Sequence, residues 1–263
     1  MGRFARLFAV AFLSCSNCPV AAQDNPYANI RTVGIVSAFG NEITLHNWGV
    51  TRFANDSTKL NLDWNLDAEV LQLVSGALHG KFAVRSVQAD AALLRDLELK
   101  HYYPDRSEVP EFLRSLPSSG DVDAYVVVIP GQNSFLTAFG PWDSEGLGAF
   151  RRQGLFSSNV PVMPYAAYDV LVVDAKNGKL IQWSYGNNLE NRGHSGMMSS
   201  LCDKSIGVKN MLGLTDVQKT VVRDELRFLV LSSLPNALKH VGLASSPDMV
   251  GAPPTRPSIC LTP

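Results

Sequence analysis

Apolar positions along this chain alternate between two periods, and each change of period marks an element. Residues 31–39 are apolar with few interruptions and read as a strand. Gly40 and Asn41 read as a turn, and 42–48 as a second strand in which Ile43 and Leu45 alternate with polar neighbours, so together they predict an opening hairpin. The period then becomes helical. Leu66, Val70, Leu73, Val74, Ala77 and Leu78 fall on one stripe, with Asn65 at the N-cap, Asp67 and Glu69 in the first turn and Gly80 at the end. Residues 82–87 follow as a strand, and strand, helix, strand in close succession is the pattern of an α/β layer.

A helical stretch covers 89–99. A short helix follows Ser107, with Pro110 tolerated in its first turn and Val109, Phe112, Leu113 and Leu116 on one face. Residues 123–129 form a β-branched run without alternation, which implies burial on both faces and hence a central strand. Asn177-Gly178 between the apolar runs 168–174 and 179–185 predicts a hairpin. Thr215 and Gln218 form a capping box opening the longest helix, where Val222, Leu226, Leu229, Val230, Leu234, Leu238 and Val241 track one face. Pro235 is expected to kink that helix and Gly242 to close it. The fold class expected is α/β: a mixed sheet with helices packed on it. A single domain over 27–243 would carry a long aromatic-rich insertion between Pro130 and Pro164 and a C-terminal helix.

The order of elements resembles a small periplasmic α/β fold group. That group includes the N-terminal domain of the Tol translocation protein TolB, the curli-secretion lipoprotein CsgG and lipoproteins that activate penicillin-binding proteins. The resemblance is carried by the opening strand 31–40, the helix and strand within 66–87, the strand 123–131, and the hairpin 168–185 with its turn Val173-Asp174-Ala175-Lys176-Asn177-Gly178-Lys179. It is a likeness of pattern and brings no catalytic motif with it. It implies a protein that acts by binding other envelope components.

The first residues agree with an extracytoplasmic setting. Arg3 and Arg6 precede an apolar run over 7–13, and Val20-Ala21-Ala22 offers a small-residue cleavage site, so 1–22 read as a secretory signal cleaved after Ala22. The apolar run is too short to span a bilayer. Cys15, after Phe12-Leu13-Ser14, makes an imperfect lipobox, and acylation there with peripheral membrane association is the alternative to ordinary cleavage. Without the signal, 21 basic residues face 24 acidic ones, since Arg3 and Arg6 leave the 23 and no acid is lost. Nothing there resembles the clustered basic footprint of a nucleic-acid binder. Residues 244–263, with five prolines and no apolar period, read as an extended tail. Cys202 and Cys260 are the cysteines left after cleavage, and an oxidising compartment suggests a disulfide stapling the tail to the body, with two unpaired thiols as the alternative.

Candidate chemistry concentrates in two places. Gly193-His194-Ser195-Gly196-Met197 is one residue short of a nucleophile elbow, with His240 downstream in hydrolase order, so a serine hydrolase centred on Ser195 is one enzymatic reading. His194, Met197, Met198 and Cys202, set on a helix, would bring soft donors for Cu(I) into one sector. Gly146-Leu147-Gly148 matches no phosphate loop, and Asp121, Asp123 and Asp143 read as turn and capping residues. The segment 133–168 gathers aromatic residues and arginines among glycines and prolines. Phe139, Trp142, Phe150, Arg151, Arg152 and Tyr165 are therefore candidates for a recognition surface, and folding of these aromatics onto the protein's own core is the alternative. The function expected is a secreted or periplasmic, non-enzymatic accessory protein with no metal or cofactor. Its partner would be an envelope protein or a peptidoglycan-associated complex.

Overall fold

The computed structural model describes residues 25–49, 53, 55–100, 108–116, 120–137, 140–152, 162–186, 197–198 and 214–244. In chain order the strands and helices begin with β1 (Thr32–Ser37), β2 (Glu42–Trp48), β3 (Asp56–Asn61), α1 (Leu66–Leu78) and β4 (Ala83–Ser86). Next come α2 (Ala91–Lys100), α3 (Glu108–Arg114), β5 (Ala124–Pro130), β6 (Gln132–Thr137), β7 (Gly140–Glu145) and β8 (Leu147–Arg152). The remainder are β9 (Met163–Ala166), β10 (Tyr168–Asp174), β11 (Leu180–Tyr185), β12 (Met197–Met198) and α4 (Asp216–His240).

The first sheet has the order β11-β10-β5-β1-β4, with β4, β1 and β5 parallel and β10 antiparallel to both its neighbours. β5 lies at its centre and all seven of its residues are buried, as an apolar run without alternation requires. Its side chains divide between two cores. Val126 and Val128 join Val70 and Val74 of α1 and Leu226 and Val230 of α4. Tyr125, Val127 and Ile129 join Leu94 of α2 and Val109 and Leu113 of α3. The β10–β11 hairpin forms as predicted, its turn closed by bonds from the Lys176 and Asn177 amides to Asp174 Oδ1, with Gly178 at φ +67°.

A second five-stranded sheet, order β12-β9-β8-β2-β3, corrects two expectations. β1 and β2 form no hairpin with each other. β1, buried at five of six positions, takes a place between two strands of the first sheet. β2, with alternating burial, pairs antiparallel with β3 and parallel with β8 in the second. Continuous burial suits a strand covered on both faces and alternation one covered mainly on one, so the two patterns separate the strands. Gly40, at φ +68°, makes the change of direction between them. The elaborated middle is likewise more than an insertion, since β8 and β9 supply two strands of this sheet, and β6 and β7 pair as a ribbon of their own.

Helix α4 opens on the Thr215–Gln218 capping box and continues through Pro235. It closes as a Schellman turn, with Gly242 at φ +75° and bonds from the Gly242 amide to Lys239 O and from the Leu243 amide to Leu238 O. Tyr27 packs on this turn and donates its hydroxyl to Val241 O, and burial pushes its phenol pKa up to about 12. At the start of α1, Asn65 occupies the N-cap position without a side-chain capping bond. No helix among the described residues is long and apolar enough to cross a membrane.

Candidate functional site

Three single-residue connections meet where the sheets join: 131 leads from the first sheet into the β6–β7 ribbon, 146 from that ribbon into the second sheet, and 167 from the second sheet back to the first, and they are bonded to one another. The Gly131 amide reaches Ala167 O at 3.0 Å, Gly146 reaches Gly131 O at 2.9 Å and Ala167 reaches Gly146 O at 2.8 Å. Glycine is required at two of these points. Gly146 adopts φ +61°, and a Cβ at Gly131 would stand 2.7 Å from Asp169 Oδ2.

Beside this junction a half-open cavity of about 570 Å³ lies beyond the C-terminal ends of β1 and β5. Phe39, Pro130, Gly146 and Leu147 line it from the junction, Glu42, Thr44 and Lys59 from β2 and β3, and Ala92, Leu93 and Arg95 from the first turns of α2, with Glu145 at the end of β7. The crevice outside the carboxyl ends of parallel strands is the usual ligand position in open α/β sheets. The volume is also in the range of small-ligand sites.

One carboxylate shapes the wall nearest β1. Asp67, in the first turn of α1, accepts from Ser37 Oγ at 2.5 Å, from the Phe39 amide at 2.8 Å and from the Gly40 amide at 2.9 Å. Trp64 Nε1 donates to Gly40 O at 2.9 Å, and Arg95 Nη1 donates to Phe39 O at 3.2 Å. A Cβ at Gly40 would collide with Arg95 Nη1, so the absence of a side chain there is what admits the guanidinium. Asp90 holds the start of α2 by accepting the Leu93 amide at 3.0 Å.

The cavity therefore combines apolar surface with charges of both signs. Lys59 Nζ meets Glu42 Oε1 at 2.7 Å, and with side-chain exposures of 70% and 36% the pair remains open to exchange for a ligand's charges. Glu145 Oε1 accepts from Gln132 Nε2 at 3.0 Å. Behind this wall His46 Nε2 lies 3.2 Å from the Tyr165 hydroxyl. Burial lowers the His46 pKa, and burial followed by the Glu145 charge raises that of Tyr165.

Of the six recognition residues expected from sequence, the three whose side chains are described, Phe150, Arg151 and Tyr165, are not among the residues lining this cavity. Phe150 and Tyr165 are buried in a small core with Ala167, against Trp48 and Met163, which is the own-core alternative. Arg151 is 4% exposed. These three side chains are buried, on the interior strands β8 and β9 of the second sheet. Phe139 and the side chains of Trp142 and Arg152 lie outside the described residues, as do Cys202, Cys260 and the loop with His194 and Ser195. Met197 and Met198 form β12, paired with Ala166 and Tyr165, so the helical spacing assumed for a soft-metal site does not hold at those two positions. Among the described residues no cluster of His, Cys, Asp or Glu could hold a metal ion.

The cavity residues escaped sequence reasoning because they come from six separate elements. The usable signals were the turn glycines Gly40 and Gly146, and Leu93, an apolar residue 42% exposed on α2.

No family model matches the chain, and neither does any curated protein. Solved structures align with it at low similarity. A hypothetical protein, CT253, from Chlamydia trachomatis is 16% identical, with 81% of this chain and 93% of that one covered and a TM-score of 0.29. A PelC dodecamer from Paraburkholderia phytofirmans is 10% identical, with coverage of 73% and 83% and a TM-score of 0.25. Lipoprotein GNA1162 from Neisseria meningitidis is 10% identical, with coverage of 73% and 92% and a TM-score of 0.25. Likenesses this weak carry no argument about activity or partner, and the chain is placed by its own architecture, a mixed α/β fold.

Proposed function

We propose that this chain is an exported, non-catalytic binding protein of the cell envelope, and that it holds its partner at the cavity beside the junction of the two sheets. The observation that carries the reading is the composition of that cavity. Ala92 and Leu93, both exposed on α2, offer apolar contact, while Lys59, Arg95, Glu42 and Glu145 offer both charges within one space of about 570 Å³. A surface of this kind suits a peptide-like chain with alternating apolar and charged groups, whether from an envelope protein or from a peptidoglycan-associated complex. The secretory-signal pattern of residues 1–22 supports the location.

The test is site-specific photo-crosslinking in the native cell, with p-benzoylphenylalanine at Leu93 in the cavity wall and, as a control, at Val217, which is 74% exposed at the start of α4 and no part of the cavity lining. A discrete crosslinked envelope component from position 93 and none from 217, lost on Arg95→Glu, is the expected result. No product at 93, or equal products at both positions, overturns the reading.

A further inference from the structure

We propose that Arg151 and Asn47, neighbours on the inner face of the second sheet, form a buried binding site for an oxyanion, a carboxylate or phosphate group. The two residues are register partners on the parallel strands β2 and β8. Strand alternation puts Asn47 on the same face as Ile43 and Leu45, and Arg151 on the same face as Leu147 and Ala149, and all four apolar residues belong to the main core. Arg151 is 96% buried, being 4% exposed, yet among the described residues its Nε and Nη1 have no hydrogen-bond acceptor, and the neighbouring Asn47 Oδ1 has no donor.

Such an arrangement needs a physical reason, because a buried charge without a partner is among the most unfavourable features a fold can contain. Lysine or histidine could escape by releasing a proton, but a guanidinium remains charged at any pH a protein survives. An anion reaching Nε and Nη1 would meet that charge, and the described residues supply no acceptor at either nitrogen. The neighbour is suited to help. A half-turn of the Asn47 amide exchanges its oxygen for an NH₂ group and adds donors beside the guanidinium, which gives a site made entirely of donors. Donors around a fixed positive charge select an oxygen-bearing anion, and a planar guanidinium matches carboxylate and phosphate oxygens.

The experiment measures melting temperature against inorganic phosphate and, separately, acetate, with sodium chloride at matched ionic strength as the control, for the wild type, Arg151→Met and Asn47→Asp. The wild type should show a saturable rise of about 5 °C or more at a hundredfold excess over Kd with one of the two oxyanions and not with chloride. The responding anion identifies the chemistry. Arg151→Met should lose the response. Asn47→Asp, isosteric and foldable even if the methionine variant is not, places a carboxylate next to Arg151 from within the chain. It should therefore melt higher than the wild type without added anion and no longer respond. A wild-type response no larger than that to chloride, or one that persists unchanged in Asn47→Asp, overturns the site.

Discussion

Replacing Asp67 by alanine tests whether a single carboxylate sets the geometry of the cavity. It would remove three hydrogen bonds at once, those to Ser37 Oγ, the Phe39 amide and the Gly40 amide. Phe39 is 1% exposed, so water cannot readily replace the bond to its amide, whereas the serine hydroxyl can turn to another acceptor. Hydrogen bonds to a charged group contribute about 1.5–3 kcal/mol each, and a buried donor left without a partner costs about 1–3 kcal/mol. The three share one acceptor group and are not additive, so the loss is set at about 3 kcal/mol, not three times the single value. For a domain of this size that corresponds to a fall of about 6–12 °C in melting temperature.

Two measurements check the origin of that loss. Urea unfolding should show a lower midpoint with an unchanged slope. Amide hydrogen exchange should accelerate at Phe39 and Gly40 while the central strand β5 keeps its protection relative to global stability. Asp67→Asn, which retains one accepting oxygen, should fall between alanine and the wild type. A stability for Asp67→Ala within about 0.5 kcal/mol of the wild type, or unchanged exchange at Phe39 and Gly40, refutes the clamp.

Two further predictions concern pH and backbone conformation. Burial lowers the His46 pKa below its ordinary value, so between the two pKa values the unfolded chain binds a proton that the folded one refuses. Stability is then full above about pH 6.5 and is lost as pH falls below it. Urea midpoints from about pH 7.5 to about 5.5 should decline more steeply in the wild type than in His46→Gln, and parallel profiles would contradict the assignment. Gly76 is exposed in α1 with open space where a Cβ would stand, so Gly76→Ala should stabilise by about 0.5–1 kcal/mol. Gly242→Ala should destabilise by about 1–2 kcal/mol, because φ is +75° and the new Cβ would lie 3.2 Å from Tyr27 Cε2, and thermal melts showing the same sign for both would refute the backbone argument.

What the sequence revealed of the fold follows from where the physics is local. The central place of β5, the β10–β11 hairpin and both ends of α4 each depend on a pattern or cap within one short stretch, and each is found as read. The separation of β1 from β2 depended on something else. Two strands joined by a Gly-Asn turn ordinarily pair, and what divides them here is the difference between five buried positions in β1 and the alternation of β2. That difference is visible in the residues. It outweighs the turn only once a second sheet exists to receive β2, and β8 and β9, which complete that sheet, lie about a hundred residues further along the chain.

The same reasoning explains why Phe150, Arg151 and Tyr165, three of the recognition candidates, are buried. Aromatic and arginine residues crowded into 133–168 suggest a surface when the segment is taken as an insertion. Once β8 and β9 become interior strands of a sheet, the pleat alternation turns Phe150 and Tyr165 into one core and carries Arg151 toward the other. Arg151 is a recognition candidate because arginine is enriched at interfaces, and its burial changes what its charge means. On a surface it would be one solvated charge among several. Enclosed beside Asn47 it is a demand for an anion that the described residues leave unmet at two nitrogens, and that demand is stronger grounds for a binding site than the aromatic composition that first drew notice to it.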